Sequence, residues 1–176
     1  MGFELNILDW CQTLHTPVMD KLMTSVTKLG DAGIFWIILT LIFLIIPKMR
    51  KTGVTMAAAL IVDLLLCNVF VKESCSTNRP YDVNTTVELL VAKLRDYSFP
   101  SGHTAASFAS VTALYLSGER RIGLIALVIS CLIAVSRLYL YVHYPTDVLG
   151  GIIFGCLSGW LGYHIVKFAE GKKTVR

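Results

Sequence analysis

The sequence predicts an all-α polytopic membrane bundle, with five transmembrane helices in one domain preceded by an N-terminal amphipathic segment. Three observations carry that prediction. Of the 176 residues, 55% are hydrophobic and only 16% charged, whereas a soluble domain carries about a quarter charged residues. The mean hydropathy is +0.64. The charges fall in short clusters separated by long neutral runs, the pattern of a chain that crosses a bilayer repeatedly. At this length, residues 1–176 form one domain rather than two.

The spans follow in order. The first covers 32–47, free of charge and dense in Ile, Leu, Phe and Trp; the second covers 54–71 and is interrupted by Asp63. The third begins at the Pro100-Ser101-Gly102-His103 turn and ends near Gly118. The fourth covers 122–141, with Arg137 close to its end, and the fifth covers 148–166 without Lys, Arg, Asp or Glu. A span needs about 20 residues at a rise of about 1.5 Å each, and these come near that length. Asp63 reads as a structural hydrogen-bonding group inside the bundle.

Residues 1–30 differ. Phe3, Leu5, Ile7, Leu8, Trp10, Cys11 and Leu14 interleave with Glu4, Asn6, Asp9 and Gln12, and Pro17 opens a second amphipathic stretch through Leu29. Both read as helices lying in the interface; the alternative is one broken, tilted sixth span. No basic n-region precedes an apolar core, so the later apolar segments are expected to direct insertion. The five cysteines form no metal-binding pattern. Cys67, Cys131 and Cys156 lie in apolar runs as small hydrophobes, and a Cys11–Cys75 disulfide is left open.

Loop charge sets the orientation. Lys48, Arg50 and Lys51 follow the first span; Glu119, Arg120 and Arg121 separate the third from the fourth; Lys167, Lys172, Lys173 and Arg176 follow the fifth. Alternation puts all three clusters on one side, which the positive-inside rule makes cytoplasmic, together with the C-terminus. The net charge of +4 is therefore explained by topology, not by nucleic-acid binding. The opposite, extracytoplasmic side receives the 72–100 loop and the 141–147 turn. In that loop Thr85 and Glu88 have capping-box spacing before Leu89, Leu90, Val91 and Leu94, which predicts a short amphipathic helix on the membrane surface. Tyr139, Tyr141, Tyr144, Trp10 and Trp160 read as interfacial aromatics, and His164 as a polar belt residue.

Three clusters meet on the extracytoplasmic side: Lys72-x6-Arg79-Pro80, Pro100-Ser101-Gly102-His103, and Ser136-Arg137-x5-His143-x3-Asp147. Phosphoryl transfer builds charge on equatorial phosphoryl oxygens, so it needs positioned cations and N–H donors. Arg79 and Arg137 offer forked donors and Lys72 a point charge. Ser101, Gly102 and His103 open a helix whose free N–H groups favour an anion. Pro145 fits the first position of a helix, which puts Asp147 within hydrogen-bond reach of His143. Such a carboxylate fixes the imidazole tautomer and leaves the other nitrogen to attack. His103 serves as general acid to the leaving oxygen and then as base for the hydrolytic water.

In order and spacing these clusters resemble the type 2 phosphatidic acid phosphatase family, whose superfamily also holds the vanadium haloperoxidases. The resemblance covers residues 72–147 directly. It implies a lipid phosphate phosphatase acting at the membrane without a metal or other cofactor, with His143 as nucleophile and His103 as acid. Lys72, Arg79, Ser101, Gly102, Arg137 and Asp147 complete the phosphate site. The compact size is similar to that of bacterial members acting in the cell membrane on undecaprenyl diphosphate, phosphatidic acid or phosphatidylglycerol phosphate. One departure is the polar filler from Glu73 to Asn78, which bears on substrate preference more than on chemistry. The alternatives are a vanadate-dependent haloperoxidase sharing the anion site, and a non-catalytic lipid-phosphate binding or transport protein. Membrane spans weigh against the first and the paired histidines against the second.

Overall fold

The apolar runs all coil into helices because a backbone without water must satisfy its own hydrogen bonds. The structure, a computed structural model, describes residues 2–174; Arg176, counted above with the C-terminal basic cluster, lies outside them. Among the described residues there are helices and loops but no strand. Two amphipathic helices come first, α1 (Gly2–Gln12) and α2 (Pro17–Lys28). Thr16 caps α2 by accepting from the Met19 N–H at 3.3 Å, with Pro17 in the first turn. Then come α3 (Ile34–Ile45) and α4 (Arg50–Asp63), the latter continuing as a π-helix over Leu64–Val71. Two short helices follow, α5 (Lys72–Cys75) and α6 (Pro80–Val83). The bundle is completed by α7 (Gly102–Leu116), α8 (Arg120–Tyr139) and α9 (Pro145–Thr174). The starts of α7 and α9 fall at the residues that the Pro-Ser-Gly-His and His-Tyr-Pro turns predict.

Length and apolarity qualify three helical stretches to cross a membrane: Pro47–Val83, Arg120–Tyr139 and Pro145–Lys172. A fourth exists if α2 and α3 count as one broken span, since the two helices pass together but are bent by 44°. The expectation of five spans is thus not reached. The predicted first span yields an α3 of only 12 residues, and the predicted third an α7 of 15, about 18 and 23 Å at 1.5 Å per residue. In the structure α2 joins α3 through this 44° bend, and α1 and α2 both pack on α8.

α9 is the central helix, packing on α7 and α4, while α8 closes on α7 and α3 on α4. Its glycines allow this. A Cβ at Gly155 would sit 2.4 Å from the Ala105 carbonyl oxygen, and one at Gly159 2.6 Å from that of Ala109. Trp36, Phe43, Met56, Leu114 and Ile133 fill the core between α3, α4, α7 and α8. The ends carrying Lys51 and Arg120 gather together: Lys51 pairs with Glu170 at 2.5 Å, and Thr52 donates to Glu119 at 3.4 Å. Each long helix therefore runs from this basic end to the end that carries the sequence motifs.

Two local expectations change. Thr85 and Glu88 start no helix: residues 84–101 run as turns, bends and irregular chain. Val87, Leu89, Val91 and Leu94 instead pack on the Tyr81–Tyr141 cluster, and their mostly alternate spacing suits an extended strip better than a helix. Tyr139, Tyr141 and Tyr144 are buried rather than interfacial. Tyr139 donates to Asp20 at 2.6 Å and Tyr141 to Asp9 at 2.7 Å, pinning α2 and α1 against the turn after α8. Trp10 and Trp160 are exposed, and the His164 ring lies 4.4 Å from that of Trp160, tilted by 53°. All five cysteines are free.

Candidate active site

The 140–144 turn between α8 and α9 presents His143, and the backbone pays a strain for it: Tyr141 adopts φ +59°, which costs a non-glycine residue about 1–3 kcal/mol. The Tyr141 hydroxyl donates to Asp9 and accepts from Asn84 at 3.0 Å, contacts that hold it there. His143 is buried with Asp147, one turn into α9. Its Nδ1 lies 3.3 Å from Asp147 Oδ2, and its Nε2 lies 3.3 Å from an Arg79 NH1 nitrogen. Arginine only donates and a carboxylate only accepts, so the pair of contacts assigns the tautomer: the proton sits on Nδ1 and the lone pair on Nε2. Asp147 is itself held by the Ser98 hydroxyl at 2.5 Å and the Tyr144 N–H at 2.8 Å. Burial, then the charges of Arg137, Arg79 and Lys72, push His143 well below the ordinary imidazole range. The ring is neutral near pH 7, as a nucleophile requires.

The cations surround that lone pair. Lys72 and Arg79 are both buried and both paired to Asp96, Lys72 through Nζ and Arg79 through an NH2 contact of 2.7 Å. Burial alone would raise the Asp96 carboxyl, but Lys72 and Arg79 overrule it and hold it at about 2. Arg79 also donates to the Asp96 and Val142 carbonyls at 2.9 and 2.8 Å, which locks its plane. Arg137, buried at the end of α8, donates to the Thr27 hydroxyl, and its Nε–H has no partner among the described residues. Ser101 N–H donates to the Asp147 carbonyl at 3.0 Å and ties the start of α7 to α9. Ser101 makes no side-chain cap, so the first N–H groups of α7 are left for another acceptor. Glu73 is exposed while Lys72 is buried, and Ser74 and Ser76 bond only to nearby carbonyls. The polar filler therefore forms an outward turn.

A cavity of about 630 Å³ opens beneath these groups. Lys72, Arg79, Gly102, His103 and His143 line its polar head, and Ile37, Leu41, Leu44, Leu60, Ile61 and Leu64 line its apolar length between α3 and α4. Ser101, Arg137 and Asp147 are buried beside it. All eight sequence-predicted residues thus gather at one end of the bundle. Asp63 also lines the cavity, with Oδ1 unpartnered among the described residues. Four polar partners were not anticipated: Asp96, Ser98, Thr27 and Asp31, the last 2.8 Å from His103 Nε2. Asp96 and Ser98 precede the Pro100 turn closely enough for sequence to have flagged them. Asp31 sits one residue before the apolar run and shows no such signal.

The chain is also similar to known proteins. The family model of the PAP2 superfamily matches residues 50–170. The chain is 27% identical to an undecaprenyl-diphosphatase of Sulfolobus acidocaldarius, over 98% of this chain and 83% of the relative. It is 33% identical to phosphatidylglycerophosphatase B of Bacillus subtilis, over 84% of this chain and 75% of that one. Among solved structures, Aquifex aeolicus LpxE superposes with a TM-score of 0.80 at 26% identity, covering 92% of this chain and 95% of the other.

Proposed function

The chain belongs to the PAP2 superfamily, and from that premise we propose that it is a metal-independent lipid phosphate phosphatase working through a phosphohistidine. It is an integral membrane protein of apolar helices, and its substrate is a lipid phosphomonoester or diphosphate, of the undecaprenyl diphosphate, phosphatidic acid or phosphatidylglycerol phosphate class. The observation that carries the reading is the lone pair of His143 Nε2, fixed by Asp147 and set among Lys72, Arg79 and Arg137 at the head of an apolar cavity.

The phosphate enters with Lys72 and Arg79 transferring donors from Asp96 to its oxygens, while the unpartnered Arg137 Nε–H and the first N–H groups of α7 supply others. His143 Nε2 attacks phosphorus, and the P–O bond to the lipid breaks as His103 protonates the departing oxygen. Asp147 stabilises the cationic ring that forms. Water, deprotonated by His103, then cleaves the P–N bond and releases phosphate. The contacts of Lys51 with Glu170 and of Thr52 with Glu119 bring two loop ends together at the far end. Lys48, Arg50, Arg120 and Arg121, beside them in sequence, support a cytoplasmic basic face and C-terminus, with the site extracytoplasmic.

Purified protein in EDTA, given a panel of these lipids, is expected to release inorganic phosphate from at least one of them, and His143→Ala to abolish the release. Activity that vanishes with EDTA, or survives intact in His143→Ala, overturns the mechanism.

A further inference from the structure

The mechanism above uses His103 but gives no part to the carboxylate that holds it. Asp31 comes from the break between α2 and α3, 72 positions from His103 in sequence, and its Oδ1 lies 2.8 Å from His103 Nε2. The break is shaped around that contact. A Cβ at Gly30 would lie 2.5 Å from His103 Cδ2, so only glycine lets the backbone pass flush against the ring. The two residues after Asp31 both take positive φ, +48° at Ala32 and +66° at Gly33. That conformation is strained for alanine and persists only where surrounding structure imposes it. The side chain of Asp31 is 56% exposed while that of His103 is 16% exposed, so the carboxylate reaches in from the rim to a largely buried ring.

We infer that Asp31 is the positioning residue of the general acid, holding His103 by Nε2 as Asp147 holds His143 by Nδ1. The inference rests on the proposed role of His103. With Nε2–H given to Asp31, whose side of the ring also packs on Gly30, the opposite nitrogen, Nδ1, exchanges the proton. Protonated His103 gives the Nδ1 proton to the lipid oxygen as the P–O bond breaks. The neutral ring takes a proton back from water as the P–N bond to His143 breaks, so the ring ends as it began. Asp31 is also the counter-charge to the ring. Arg137 from α8, Lys72 from α5 and His143 from the turn act on His103 with positive or potentially positive charge, and Asp63 lines the same cavity. A carboxylate in hydrogen-bond contact is what favours the proton-bearing form there.

The test compares kcat/KM for a lipid phosphomonoester and for p-nitrophenyl phosphate, whose phenolate leaves without a proton, across pH. In Asp31→Asn the basic limb for the lipid is expected to move down by about 1–3 pH units, with kcat/KM for the aryl ester nearly unchanged. His103→Ala should lose about 10²–10⁴-fold on the lipid and far less on the aryl ester. Asp31→Ser, which also removes the carboxylate at a side chain that is 56% exposed, should move the limb the same way, and it carries the test if Asp31→Asn does not fold. An unmoved limb in both Asp31→Asn and Asp31→Ser, or in Asp31→Ser alone where Asp31→Asn does not fold, beside a leaving-group-selective loss in His103→Ala, overturns the role of Asp31 and leaves the phosphatase reading intact. If His103→Ala shows no leaving-group selectivity, the acid assignment itself falls.

Discussion

At the scale of single residues the site sets proton positions by direct contact. His143 cannot hold its Nε2 lone pair against a guanidinium unless the ring is neutral, and burial and three cations make it so. The folded pKa is lowered, so the unfolded chain binds a proton that the folded site refuses. Stability from this group is present above about pH 6.5 and weakens as pH falls below it. A phosphate dianion reverses the local balance by setting negative charge among Lys72, Arg79 and Arg137. The protein has only four histidines, which makes a ring-nitrogen NMR titration resolvable. His143 is expected to remain neutral well below the ordinary imidazole range without phosphate, and to titrate at higher pH once inorganic phosphate is added. Titration at the ordinary value in both conditions would contradict the cation cluster as its cause.

At the scale of elements, α7 carries His103 and α9 carries Asp147, and the separation of the two helices is set by glycine. Gly155 faces the Ala105 carbonyl too closely for a Cβ. In Gly155→Val the helix gains little propensity, while the inserted methyls force the helices apart at about 1–3 kcal/mol. The expected result is a lowered unfolding temperature in detergent together with reduced activity, because the Ser101–Asp147 backbone link joins the same two helices. Gly171, with nothing near its Cβ position, is the control; Gly171→Ala should be neutral or stabilising by up to about 1 kcal/mol. The four-residue spacing of Gly151, Gly155 and Gly159 is the kind of signal that announces such packing. Other elements were legible from the start. Pro145 and the Pro100 turn mark where α9 and α7 begin, because proline and glycine act locally. What sequence could not give were contacts closed over long separations. Asp31 reaches His103 only because α2 and α3 bend at Gly30, and Tyr139 and Tyr141 are buried only because α1 and α2 fold back over them. The capping-box spacing at Thr85 failed for the same reason: packing of Leu89, Val91 and Leu94 on Tyr81 overrode a local preference.

At the scale of the whole molecule, the arrangement joins a charged head to an apolar groove, and the bilayer changes what the groove is for. A lipid tail arrives from hydrocarbon, not water, so lining it with Leu and Ile wins little transfer free energy. On the proposed function, the groove between α3 and α4 acts through shape, seating the chain so that its headgroup meets His143. Ala57 lies on α4 along that length, where a larger side chain would fill space without touching the cations. Ala57→Phe is therefore expected to lower kcat/KM for a long-chain lipid phosphate by about 10²-fold, the cost of misplacing a reacting group by about 1 Å. A short-chain, water-soluble phosphate ester, with no tail to seat, should be cleaved by Ala57→Phe as by the unaltered protein. Equal losses on both substrates would mean the substitution disturbs the head of the cavity, and equal retention would mean the tail lies elsewhere.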